Sequence, residues 1–109
     1  MALDIEIDQV SEGKANSISL YYNEYNLILD RLQQEENFPI LKRCLSDYFG
    51  EYEIFLNELR ELKSEVDSLK KLYVKSDENT MKTIIFLNNF STLIGEAIKL
   101  RKTLKFIGD

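Results

Sequence analysis

Residues 38–73 carry an apolar pattern that few folds accommodate. The large apolar residues are Phe38, Leu41, Leu45, Tyr48, Tyr52, Phe55, Leu59, Leu62, Val66, Leu69 and Tyr73, separated by steps of three and four in strict alternation. Such spacing is the a/d seam of a helix laid against another helix. Leu56 and Leu72 flank the seam and widen it toward a bundle core. Gly50 alone disagrees with the pattern, and two readings stay open there. The unbroken phase of Leu45, Tyr48, Tyr52 and Phe55 favours one continuous helix. Glu51 and Glu53, well placed at a helix start, favour two helices meeting at Gly50. A continuous helix over 38–73 would be about 54 Å long at 1.5 Å per residue. A compact domain of this size has a radius of gyration of about 13 Å, so such a molecule would be elongated or packed on another chain.

The flanking segments are read around that seam. Over residues 3–8, Leu3, Ile5 and Ile7 alternate with Asp4, Glu6 and Asp8, the pattern of a half-buried strand. A second short run at 18–21 can pair with it as a hairpin; the competing reading is a frayed terminus. Tyr21, Tyr25, Ile28, Leu29 and Leu32 then form a helical stripe, with Ser19 as a candidate N-cap. Asn37 suits the cap of the next helix and Pro39 its first turn. After a connection with Ser76, Asp77 and Asn79 as candidate caps, the spacing predicts a last helix over about 78–106. Its stripe is Phe86, Phe90, Leu93, Ala97, Leu100 and Leu104, with Gly95 and Ala97 allowing a close helix approach. Lys99, Arg101, Lys102 and Lys105 complement the dipole at its end. Four glycines and one proline in 109 residues favour long elements with short connections. The fold class predicted is mainly α: one domain over 1–109, an antiparallel three- to four-helix bundle with a short N-terminal β-strand or hairpin.

Absences narrow the chemistry. The chain has no histidine, which removes the commonest general base and the commonest metal ligand. Its one cysteine, Cys44, cannot form an intrachain disulfide or complete a zinc site, and fits a reducing cytoplasm. No phosphate-loop, dinucleotide or nucleophile-elbow motif occurs. Asp4, Glu6 and Asp8 have the acid spacing of a calcium loop, but Gln9 stands where its glycine belongs and Ala15 where its glutamate belongs. Catalysis, cofactor and metal are therefore not expected. The longest apolar run, 84–87, is too short to cross a membrane, and no basic-then-apolar leader begins the chain.

Charge points toward a partner. The net charge is −5, and residues 1–36 hold eight acids against two bases. An acidic third disfavours nucleic acid and anionic lipid and suits a basic protein. The candidate partner-binding residues are Asp4, Glu6, Asp8, Glu24, Asp30, Glu35 and Glu36, with Tyr22 as an aromatic contact lying off its helix's apolar stripe. In size and charge the chain looks like a small bacterial immunity or antitoxin-type protein, a likeness of type and not of motif. That likeness implies a non-catalytic protein–protein interaction domain that neutralises a basic partner. The alternative is a homodimeric helical scaffold or adaptor zipped through the 38–73 helix.

Overall fold

A computed structural model describes residues 2–8, 17–45, 51–73 and 77–108. The chain begins with two strands, β1 (Ala2–Ile7) and β2 (Ser17–Tyr21), paired antiparallel with Leu3 opposite Leu20 and Ile5 opposite Ile18. The alternation places Leu3, Ile5, Ile7 and Leu20 inside. Helix α1 (Tyr22–Gln33) follows at once and buries Tyr25, Ile28 and Leu32. Ser19 does not cap it; Tyr21 holds that place in extended conformation, and the Ser19 hydroxyl donates to Asp4 Oδ1 across the hairpin at 2.7 Å.

The predicted helix over 38–73 does not exist. Those residues form a short helix α2 (Pro39–Cys44), a strand β3 (Glu51–Ile54) and a helix α3 (Leu56–Lys70). Gly50 and Tyr48 lie outside the described residues, but the strand that begins at Glu51 excludes a continuous helix. Residues 51–54 alternate acid and apolar just as β1 does, and pairing with the C-terminal strand makes use of that period-2 pattern. Phe55 and Leu56, assigned to the seam or its flank, are instead exposed at the strand-to-helix corner, and Leu72 is exposed beyond α3. Leu59, Leu62, Val66 and Leu69 keep the helical stripe and are fully buried.

The last helix also ends earlier than its spacing suggests. Helix α4 spans Glu78–Leu100, and strand β4 covers Leu104–Gly108. Of its candidate caps, Asp77 does the work, accepting from the Thr80 N–H at 2.8 Å, while Ser76 lies outside the described residues. Arg101 terminates α4 in left-handed conformation (φ 57°, ψ 44°). The Lys102 N–H donates to the Ala97 carbonyl and the Arg101 N–H to the Ile98 carbonyl, a Schellman arrangement formed without glycine.

The four strands make one antiparallel sheet in the order β2-β1-β4-β3. Its central pair joins the first strand to the last, with Ile5 opposite Phe106 and Ile7 opposite Leu104. This four-helix, four-strand α/β arrangement, with strands at both ends of the chain, replaces the expected helical bundle. The helices pack over one face of the sheet. Within that layer α3 and α4 run antiparallel: Lys70 Nζ meets Asn88 Oδ1 at 2.8 Å and Ser91 Oγ donates to Asp67 Oδ1 at 2.6 Å. Phe90 joins the layers through an edge-on contact with Phe106, ring centroids 6.0 Å apart. The Tyr25 hydroxyl donates to the Leu45 carbonyl at 2.6 Å and ties α1 to the end of α2. The radius of gyration of 13.0 Å matches a compact domain.

Helix α2 depends on a residue remote in sequence. Asn37 does not cap it; Phe38 precedes it in left-handed conformation (φ 71°, ψ 46°), with no capping side chain of its own. A non-glycine residue there costs about 1–2 kcal/mol. Burial of the Phe38 ring, 6% exposed, returns about 1.5–3 kcal/mol. The free donors of Ile40 and Leu41 are met by the Glu65 carboxylate of α3 at 3.3 and 2.9 Å. Replacing Glu65 by Ala removes both acceptors and is expected to cost about 1–2 kcal/mol in chemical denaturation, with Glu65→Gln costing less. An unchanged midpoint for Glu65→Ala would show that water caps α2 equally well. Gly95 offers the opposite test. A Cβ there meets only Lys63 Cε, at 3.6 Å, so no close approach requires glycine. Gly95→Ala is expected to stabilise the protein by about 0.5–1 kcal/mol through helix propensity, raising the melting temperature.

Candidate functional site

The face of the sheet away from the helices is built by alternation. Every second residue of β1 points outward, so Asp4 and Glu6 share one surface, and Asp8 continues it with its N–H donating to the Thr103 carbonyl at 2.9 Å. Register then sets their neighbours. One row across the sheet reads Ser17, Glu6, Lys105, Glu53, and the row beside it begins Ser19, Asp4, Ile107. Ser17 and Ser19 are exposed; Asp4, Glu6, Asp8 and Lys105 are half-exposed.

Lys105 is the cation within this acidic field. Its Nζ lies 3.2 Å from Asp8 Oδ1 and 4.0 Å from Glu53 Oε1. The Asp8 hydrogen bond and charge, followed by the Glu53 and Glu6 charges, raise the Lys105 pKa above its ordinary value. It therefore stays protonated throughout the physiological range, and the expected role as a helix-dipole complement does not apply. Among the described side chains the carboxylates of Asp8, Glu53 and Glu6 act on that ammonium, and Asp4 adds a fourth acid in the next row of the same face.

The eight candidate residues do not form one surface. Asp4, Glu6 and Asp8 are together on the sheet. Tyr22 and Glu24 lie where β2 turns into α1: the Tyr22 ring, 55% exposed, stacks on Tyr25 at 6.4 Å, and Glu24 lines a cleft between β2 and α4. Asp30, Glu35 and Glu36 lie on the helical side, along α1 and the turn after it. Arg31 stands between Asp30 and Leu32 with its guanidinium 5.8 Å from the Tyr73 ring centre, so that region is not purely acidic. Glu53 and Lys105 belong to the sheet face and were assigned to helices from spacing. The acid–apolar alternation of 51–54 and the Leu104-Lys105-Phe106 alternation were the signals for them.

Burial raises the Cys44 thiol far above its ordinary pKa and outweighs the charge of Arg43, so the thiol is inert. Burial also pushes the Tyr73 phenol up to about 12, and its hydroxyl donates to the Leu27 carbonyl at 3.2 Å. At Asp67 desolvation opposes ionisation, but hydrogen bonds from Ser91 and Lys63 prevail and keep the carboxyl below its usual range. Tyr73 and Asp67 are each held by a structural partner. Among the described residues no cluster of three metal-ligating side chains occurs, and no helix is long and apolar enough to cross a membrane.

Removing the central cation tests how the face is balanced. In Lys105→Met the carboxylates of Glu6, Asp8 and Glu53 lose their neutralising neighbour. The expected result is a lower melting temperature at pH 7 and low salt. The deficit should shrink at about 0.5 M salt, where screening is strong. A deficit independent of salt would instead identify lost packing of the lysine stem.

The chain matches no protein-family model, no curated protein and no solved structure.

Proposed function

We propose that the chain is a non-catalytic protein-binding domain whose acidic sheet face receives a basic protein. The observation that carries this reading is the grouping of Asp4, Glu6, Asp8 and Glu53 on one sheet face, where Lys105 is the cation among the described residues. A sheet face with charged residues at its outward positions is unsuited to apolar docking. It attracts a cationic surface and steers its approach. The inert thiol and the absence of histidine support a role without catalysis. A free buried cysteine suits a reducing compartment, the cytoplasm in this reading. Neutralisation of a basic toxin, as by an immunity or antitoxin-type protein, is the specific form we favour, since a small acidic domain covers such a partner by charge. The scaffold zipped through 38–73 is not retained, because that stretch is three separate elements.

Two charge-matched variants test the face. Glu6→Gln/Glu53→Gln neutralises two acids on the sheet, and Asp30→Asn/Glu36→Gln neutralises two on the helical side. Each is immobilised and challenged with basic proteins of the source cell at about 0.05 M and about 0.5 M salt. The sheet variant should bind the captured protein about three- to thirtyfold more weakly than wild type, while the helical variant keeps most of its affinity. Equal losses in both variants would mean that net charge and not this face governs binding. Retention that survives high salt would contradict an electrostatic contact.

A further inference from the structure

Most described basic side chains have a partner. Arg43, Lys63, Lys82 and Lys105 are ion-paired, Lys42 and Lys70 donate hydrogen bonds, and Arg31 lies over the Tyr73 ring. Arg60, Lys71, Lys99, Arg101 and Lys102 have none among the described residues. Lys71 stands at the far end of α3; the other four gather where the start of α3 lies beside the end of α4. At that junction a cleft of about 360 Å³ is lined by Leu56, Asn57, Arg60, Ile98 and Arg101. Its volume is that of a small-ligand site. Both arginines are exposed, and although the chain holds nineteen acids, no described carboxylate lines the cleft. Of the acids nearest in the fold, Glu58 is paired with Arg43 and Asp8 with Lys105, and Glu61 and Glu96 are not part of the lining. Arg101 also holds the left-handed cap of α4, a place that favours glycine. Phe38, the other non-glycine residue with positive φ, offsets its strain by burying its ring. The Arg101 side chain is exposed and unpaired, so nothing in the described fold offsets its strain.

We propose that this cleft binds a small phosphate monoester, its phosphate between the Arg60 and Arg101 guanidiniums and its organic group against Leu56 and Ile98. Charge selects the anion. Two cations that share a cleft without an acid match the charge of a phosphate monoester, about −1.5 to −2 at pH 7. A guanidinium also donates in pairs to phosphate oxygens, a geometry that an ammonium lacks. The apolar lining selects an ester over the bare ion. Leu56 is 39% exposed and Ile98 only partly buried against the core, so an organic group gains contact beside the phosphate. The first turn of α3, to which Leu56 and Asn57 belong, has no capping side chain and adds backbone donors at the same place. The inference is independent of the function proposed for the sheet face, which uses other residues and the opposite charge.

Titration of the full chain with phenyl phosphate, followed by amide proton and nitrogen shifts at low salt, provides the test. Saturable binding is expected at about 0.1–1 mM, the range open to so small a ligand. The largest shifts should fall on residues 56–60 and 98–101. Inorganic phosphate lacks the organic group and benzoate the second charge, so each should bind about three- to tenfold more weakly. Arg60→Gln and Arg101→Gly should each weaken phenyl phosphate at least about fivefold. Glycine suits the left-handed position, so Arg101→Gly should melt no lower than wild type and its loss of affinity is not a loss of fold. Lys71→Gln, which removes an exposed cation remote from the cleft, should bind as wild type does. No saturation by about 10 mM, or shifts centred elsewhere, overturns the inference. So does wild-type affinity in Arg60→Gln or Arg101→Gly, an equal loss in Lys71→Gln, or inorganic phosphate or benzoate binding as tightly as phenyl phosphate.

Discussion

The fold depends on one ladder, the pairing of β1 with β4. These strands are the first and last elements of the chain, yet they are hydrogen-bonded neighbours at the centre of the sheet. Every other strand is an addition to that pair: β2 joins through the hairpin from β1, and β3 through β4. The inward residues of the pair, Leu3, Ile5, Leu104 and Phe106, are at most 1% exposed and form the floor on which the helices rest. Joining the two ends of a chain carries a loop-closure cost, which burial of this floor must offset. Non-local pairing of this kind slows folding relative to a helical bundle of the same length. The centre of the sheet is incomplete until residues 104–108 meet residues 3–7.

The helical layer is fixed to that floor by packing and by a few directed polar contacts. Phe90 on Phe106 sets α4 over the central strands, and the Schellman turn at Arg101 sends the chain from α4 directly into β4. Helix α3 then aligns on α4 through Asp67 with Ser91 and Lys70 with Asn88. In turn Glu65 of α3 holds the start of α2. Each of these contacts orients the next element outward from the centre. Exposed ion pairs such as Lys82 with Glu78 add little to this, since screening and side-chain entropy absorb most of their attraction.

This hierarchy explains what was legible in the sequence. Local patterns were read correctly where one period stood alone. Leu3, Ile5 and Ile7 alternating with three acids identified β1, and the stripes of Leu59 to Leu69 and Phe86 to Ala97 identified the inner faces of α3 and α4. The failures arose where a short strand fitted the helical period by coincidence. Tyr52 and Phe55 continue steps of four and three from Tyr48, and Leu104 follows Leu100 by four, so each strand was absorbed into a helix. The stop after Leu100 had no glycine to announce it, because Arg101 takes the left-handed position. At the candidate site, the outward acids of β1 were visible because alternation is local. Glu53 and Lys105 were not, because the place of Lys105 opposite Glu6 and of Glu53 opposite Lys105 follows from strand pairing across about half the chain or more.

The described helices pack on one side of the sheet, and the outward side chains of Asp4, Glu6, Asp8 and Lys105 on the other side are half-exposed. That outward face is kept soluble by charge, but charges of one sign on adjacent strands repel and oppose the pairing beneath them. Lys105 resolves the conflict. Placed on a central strand, it lies beside Asp8 and faces Glu53 and Glu6 while β1, β4 and β3 remain paired. Among the described residues of this face, Lys105 offsets part of the acidic field and leaves an acidic excess at the surface. On the function proposed above, a basic partner would relieve that same excess on binding, and Lys105 would then set both the stability of the free sheet and the gain on association.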